Sequence, residues 1–230
     1  MNPNRKIATL TGVVFIIATV ASLSGSALLP ALTGTDYLAR FSAHASQMAA
    51  GALLHLIGHL ASAGIAVVMY PVLHKWNAGL ALGSVVFRII EAVFYMVGLM
   101  CLLSLLPLGQ QFTSALAADR ATLQAIGDSL VSVQNRASLL GVFAFCTGAF
   151  MYYYLFFQSR LIPRWLSGWG IVAIILMMVA CVSSLFSGNL ITNYIPLAFP
   201  IFLQEMVLAV WLIVKGFNPS VIASEPAKQP

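Results

Sequence analysis

Six stretches of the chain are apolar almost without interruption, with polar segments between them: residues 7–29, 49–73, 78–106, 137–157, 166–186 and 195–214. Each reaches the ~18–20 apolar residues that a bilayer crossing requires. Backbone amides cannot go unpaired in lipid, so each stretch is predicted to be a transmembrane helix. Pro30, Pro107 and Pro196 stand at or near the ends of these stretches, where a missing N–H does least harm, and Pro71 falls in the last turn of the second. One polar interval is long. Within it Leu116, Leu123, Ile126, Leu130 and Val133 recur at helical steps, opposite Asp119, Arg120, Gln124 and Asp128. Two readings fit this stripe: an amphipathic helix on the membrane surface, or an extension of the fourth span into solvent. The expected fold is all-α, a polytopic membrane bundle of six transmembrane helices with an amphipathic helix in the loop between the third and fourth spans. Residues 1–217 form one domain. Residues 218–230 carry no apolar pattern and are expected to be a disordered tail.

Composition removes the soluble alternative. Only 7% of the 230 residues are charged, 60% are hydrophobic, and mean hydropathy is +0.95, whereas about a quarter of a soluble domain is charged. The net charge of +5 does not point to nucleic acid, because the Lys and Arg residues are scattered at helix ends without a basic stripe. They do orient the chain. With a cytoplasmic N-terminus, Arg5, Lys6, Lys75, Arg160, Arg164, Lys215 and Lys228 lie inside, and Arg40, Arg120 and Arg136 lie outside. That asymmetry predicts a protein of the cytoplasmic (inner) membrane with both termini cytoplasmic. Arg5-Lys6, an apolar run and the small residues Ser22-Leu23-Ser24-Gly25-Ser26-Ala27 also resemble a signal peptide. The apolar run continues through Leu28-Leu29, which favours an uncleaved anchor; cleavage would leave five spans.

The informative residues are the ionisable ones inside the spans. A charge at the bilayer centre costs ~3 kcal/mol on insertion scales, so it needs a partner or a wet cavity. Arg88 and Glu91 are three apart on one face of the third span. Counted from the cytoplasmic lysines, Arg88 is 13 residues in from Lys75, and Glu205 is 10 in from Lys215 on the sixth span. Both sit at similar depth, so Arg88 is expected to pair with Glu205, Glu91 or both in a three-member cluster; if Arg88 and Glu205 neutralise each other, Glu91 is the spare, proton-exchanging acid. Two acids and one base leave a formal charge of −1, which favours cations or protons over anions.

His55 and His59 share a face of the second span at i and i+4. Such spacing could converge on a metal or haem. Two histidines do not complete a ligand set, and they are read instead as hydrogen-bonding or titrating members of a polar interior, with no cofactor expected. Cys101, Cys146 and Cys181 stand singly in apolar runs, as reduced, buried residues do. Tyr152, Tyr153 and Tyr154, with Trp165 and Trp169, flank Arg160 and Arg164 and read as an aromatic belt. Gly51, Gly58, Ala61, Ser62 and Gly64 allow close helix approach. No GxSxG, HExxH or Walker loop is present, so no catalytic residue is named and the reading leans away from an enzyme. A weak internal repeat aligns Glu91-Ala-Val-Phe with Glu205-Met-Val-Leu, as in the inverted halves of many transporters.

Several motifs in order carry a resemblance. They are Asn4-Arg5-Lys6 before Thr11-Gly12-Val13-Val14-Phe15, then Met69-Tyr70-Pro71-Val72-Leu73, Ala81-Leu82-Gly83 and Phe87-Arg88-Ile89-Ile90-Glu91-Ala92. Ser159-Arg160-Leu161-Ile162-Pro163-Arg164-Trp165, Gln204-Glu205-Met206 and Trp211-Leu212-Ile213-Val214-Lys215-Gly216-Phe217 continue the series. Together the chain resembles a family of bacterial integral membrane proteins, domain of unknown function number 4386. The resemblance implies a helical membrane protein of this length and no activity.

The sequence therefore predicts a bilayer-embedded protein with an Arg/Glu/Glu cluster for small-solute or proton-linked transport or binding. The alternative is a non-catalytic membrane component, a stress or assembly partner, whose charges form a structural clasp. A membrane enzyme using His55 and His59 is third. A small molecule or a proton is the expected ligand, and no motif speaks to oligomeric state.

Overall fold

The computed structural model describes residues 2–32, 34 and 36–223, and every regular element among them is helical. Six helices are long and apolar enough to cross a membrane. They are α1 (Pro3–Leu28), α3 (Ala45–Leu73), α4 (Ala78–Ser114), α5 (Ala117–Ser159), α6 (Arg164–Ser187) and α7 (Ile195–Val214). Two short helices, α2 (Tyr37–Ala43) and α8 (Pro219–Ala223), and a 3-10 turn (Ile191–Tyr194) leading into α7 complete the described elements.

Local chemistry sets the ends. Asn2 accepts a hydrogen bond from the Asn4 amide at 3.2 Å, with Pro3 opening α1. Asn77 caps α4 through the Leu80 amide at 2.9 Å. Gly188 ends α6 in the left-handed conformation at φ 71°, which costs glycine nothing.

The spans form a closed ring. Each packs on its neighbours in sequence, and α1 returns against α7 to close it. The closure depends on Gly12, where a Cβ would come within 2.5 Å of the Ala209 carbonyl oxygen. Arg5 locks the same seam by donating to the carbonyls of Leu212, Ile213 and Val214, the last two at 2.6 and 3.0 Å. Both described ends of the chain thus lie on one face of the bundle. Outward-facing positions such as Leu53, Leu60 and Val67 on α3 recur every seven residues and are exposed and apolar. That is the reverse of a soluble helix and fits lipid contact.

Three expectations change. The third span does not stop at Leu106: α4 runs through Pro107 to Ser114. The lost bond there is outweighed by packing, since Leu105 and Leu108 join Tyr37, Leu38 and Phe41 of α2 in a second core cluster. The loop helix is not separate but is the extension of the fourth span that the stripe also allowed, since α5 is unbroken over 43 residues. At ~1.5 Å per residue it is about 65 Å long, about twice the ~30 Å hydrocarbon core. Its stripe is split: Leu123 and Leu130 pack on the α2 cluster while Ile126 and Val133 remain exposed. Finally, the tail is ordered beyond Phe217. The Asn218 amide donates to the Leu161 carbonyl at 2.8 Å, and Val221 and Ile222 of α8 pack on the main core. The rest of the expected tail, 224–230, lies outside the described residues.

Candidate functional site

A cavity of about 320 Å3 lies inside the ring, and Arg88, Glu91, Glu205, His55 and His59 all line it. The rest of its wall is mostly apolar and aromatic, with Phe15, Phe145, Met177 and Phe202 among it and the hydroxyls of Thr19, Ser22 and Ser62 beside them. Helices α1, α3, α4, α5, α6 and α7 all contribute. This is the volume and character of a small-ligand pocket.

Arg88 is only 1% exposed, and its Nε and Nη2 are hydrogen-bonded while its Nη1 makes an ion contact alone. Its Nη1 lies 2.9 Å from Glu91 Oε2, one helical turn along α4. Its Nε and Nη2 donate to the Ser62 carbonyl at 3.2 and 3.0 Å, and Nη2 donates to Ser62 Oγ at 2.8 Å. The Ser62 hydroxyl donates in turn to Glu91 Oε1 at 3.0 Å. The Phe145 ring closes the other side, 4.8 Å from the guanidinium carbon. Ser62 thereby ties α3 to α4 through a buried ion pair whose Nη1 and Oε2 have no other partner among the described residues. The sequence reading took Ser62 only as a small residue for close approach.

Glu205 is placed differently. It is half-buried, borders the cavity, and accepts one long hydrogen bond, from the Tyr152 hydroxyl at 3.4 Å. Among the described residues no cation lies within ion-pair distance of it. Of the pairings expected for Arg88, the one with Glu91 is seen, so Glu205 and not Glu91 is the acid without an ion pair. The i,i+3 geometry decides this, because Glu91 shares the face of Arg88 while Glu205 arrives from across the ring.

The tyrosines also correct the belt reading. Tyr152 and Tyr153 are fully buried, whereas Tyr154 is exposed. Tyr153 donates to Gln204 Oε1, and Gln204 Nε2 donates to the Leu166 carbonyl at 3.0 Å, linking α5, α7 and α6. A signal was present: Gly141, Ala144, Gly148 and Ala149 mark the packed face of α5, and Tyr152 and Tyr153 continue it at helical steps.

The histidines form a column. His55 and His59 stack at 5.6 Å between ring centroids, and His59 stacks on Tyr95 at 4.8 Å. His55 Nε2 lies 3.5 Å from Ser26 Oγ. Parallel rings do not converge on one ion, and among the described residues no three His, Cys, Asp or Glu side chains gather as metal ligands. The same three rings border a second cavity of about 170 Å3 toward the α2 end, where the buried Gln134 Oε1 has no partner. Cys146 and Cys181 lie side by side between α5 and α6 as free thiols, and Cys101 is half-buried.

The arrangement can hold a cation. It has a formal charge of −1, one carboxylate without a counter-ion, and aromatic faces that attract cations. It contains no paired nucleophile and base. No curated protein and no solved structure matches this chain. Residues 10–216 match the family described as Domain of unknown function (DUF4386), so the chain, a six-span helical bundle built around an Arg–Glu–Glu cavity, belongs to that family.

Proposed function

We propose that the protein binds a small, positively charged solute within the membrane, with Glu205 as its counter-ion and the proton as its competitor. The observation that carries this reading is the unpaired Glu205 carboxylate bordering a 320 Å3 aromatic cavity. An intramembrane acid without a partner is an ordinary element of proton- and cation-linked transport. The face carrying Arg5, Lys6, Lys75, Arg160, Arg164 and Lys215 is the cytoplasmic face in this reading, because it holds the Lys/Arg majority.

The test is titration calorimetry on the purified protein with tetraethylammonium and a protonated monoamine. Binding should weaken as pH falls, and Glu205→Gln should abolish it while leaving the protein folded. Unchanged binding by Glu205→Gln would overturn the reading. A structural role for the Arg88–Glu91 pair stands beside this one, supported by its burial and by the Ser62 bridge between α3 and α4.

A further inference from the structure

A second site stands at the opposite end of the bundle from α2, where α5 and α7 end and α6 begins. Arg160, Arg164 and Lys215 line a pocket of about 610 Å3 there, walled by Ile162, Trp211 and Phe217. All three basic residues are exposed, and among the described residues none of them is paired with a carboxylate. Arg164 rests 5.3 Å above the Phe157 ring. Arg160 occupies the left-handed position that ends α5, at φ 60°, where glycine is the usual occupant. An arginine held there carries its charge to the pocket despite the backbone cost. The nearby Arg5 is already committed to the α7 carbonyls and offsets the negative end of that helix, so α7 offers the three pocket cations less compensation.

Along the outer side of α7 an apolar trough of about 430 Å3 adjoins this pocket. Met206, Val207, Val210 and Val214 line it, and it shares Trp211 and Lys215 with the basic pocket. From Met206 to Val214 the trough follows eight residues of helix, ~12 Å, close to the ~15 Å of one leaflet's hydrocarbon. Val210 and Val214 are more than half exposed along it. A ligand filling both spaces needs an anionic head and a hydrocarbon chain on one molecule. Inorganic phosphate would use only the basic pocket. A zwitterionic lipid would use the trough, but its own cation cancels the head charge.

We infer that this is a binding site for an anionic phospholipid, with Arg160, Arg164 and Lys215 holding the headgroup phosphate and the α7 trough holding an acyl chain. Basic pockets between transmembrane helices recognise lipid headgroups in this way. Bound there, the lipid joins the ends of α5, α6 and α7 and stabilises that face of the ring.

The experiment uses the full chain in a neutral detergent. Its thermal unfolding is followed with phosphatidylglycerol, phosphatidylcholine or inorganic phosphate at equal concentration. Phosphatidylglycerol should raise the midpoint by several degrees, and the other two should leave it nearly unchanged. Arg160→Asn (which tolerates the left-handed backbone), Arg164→Gln and Lys215→Gln together should remove most of that shift. Lys6→Gln, an exposed change on the same face, should keep it. Should the triple variant fail to fold, the single changes Arg164→Gln and Lys215→Gln should each reduce the shift. An equal shift with phosphatidylcholine would make the effect general lipid solvation, and an equal shift with inorganic phosphate would make the pocket a free-anion site. Either result, or a full phosphatidylglycerol shift in the charge variants, overturns the assignment.

Discussion

Arg88 and Glu91 sit one turn apart on α4, and their charged ends meet at 2.9 Å with both side chains closed off from solvent. Ser62 completes the pair from α3, donating to one partner and accepting from the other. The charge of Arg88 is thereby used within its own helix. Glu205 lies across the cavity from it, beyond ion-pair distance.

The pair should behave as a clasp. Removing one member of a buried pair typically costs ~3–5 kcal/mol, because the other is left uncompensated. Arg88→Leu should therefore lower stability by about that much. Arg88→Leu combined with Glu91→Leu should recover much of the loss, and Arg88→Leu combined with Glu205→Leu should recover little. Denaturant unfolding in detergent, analysed as a double-mutant cycle, separates the two pairings.

Ring closure should depend on the α1–α7 seam. A side chain at Gly12 meets the Ala209 carbonyl oxygen at 2.5 Å and Ile213 Cγ1 at 2.7 Å, so the helices must part to admit it. Gly12→Leu should destabilise the protein by ~1–3 kcal/mol or more, the range of core overpacking. Gly64→Ala is the control, since its Cβ would meet nothing closer than 3.7 Å. Thermal midpoints in detergent decide between them.

Alkaline pH should loosen α2. Tyr37 is buried, and its hydroxyl donates to Asp128 Oδ1 at 3.0 Å, where Gln124 Nε2 also donates. Burial, then the hydrogen bond to Asp128 and the charge of that carboxylate, push the Tyr37 phenol upward. Above ~10, the ordinary tyrosine value, the unfolded chain releases this proton while the folded chain retains it. Stability from this group is thus full below that pH and falls as pH rises beyond it. The stability gap between the native chain and Tyr37→Phe should narrow above pH ~10. A constant gap across that range would contradict the prediction.

Topology is open to direct labelling. Reporter fusions after Lys75, after Arg164 and after Phe217 should read cytoplasmic, and fusions near Arg40 and Arg120 should read external. Both described termini lie on the same face, tied by Arg5. An opposite reading at any of these points therefore excludes the assigned orientation.

Much of the site was legible from spacing. A residue such as Glu205 in an otherwise apolar span signals function or pairing without any structure, because the bilayer makes an unpartnered charge costly. Counting rise per residue placed Arg88 and Glu205 at similar depth, and both do line one cavity. Depth does not determine azimuth, however, and pairing depends on azimuth. Ser62 and Tyr152 were missed for a related reason: each has an adequate local explanation, as a small packing residue or an interfacial aromatic. Only their neighbours from other helices give them a second role.

The sequence by itself determined the six crossings and the all-helical class, since hydrocarbon leaves the chain no other way to satisfy its backbone. It also determined which residues would be costly to bury. The tertiary structure decided how the helices close into a ring, where Pro107 and residues 218–223 find enough packing to stay ordered, and which acid Arg88 holds. Those outcomes rest on contacts between distant segments. Gly12 approaching Ala209 and Tyr152 reaching Glu205 are two of them, and the energy of such a contact exists only once both helices are in place.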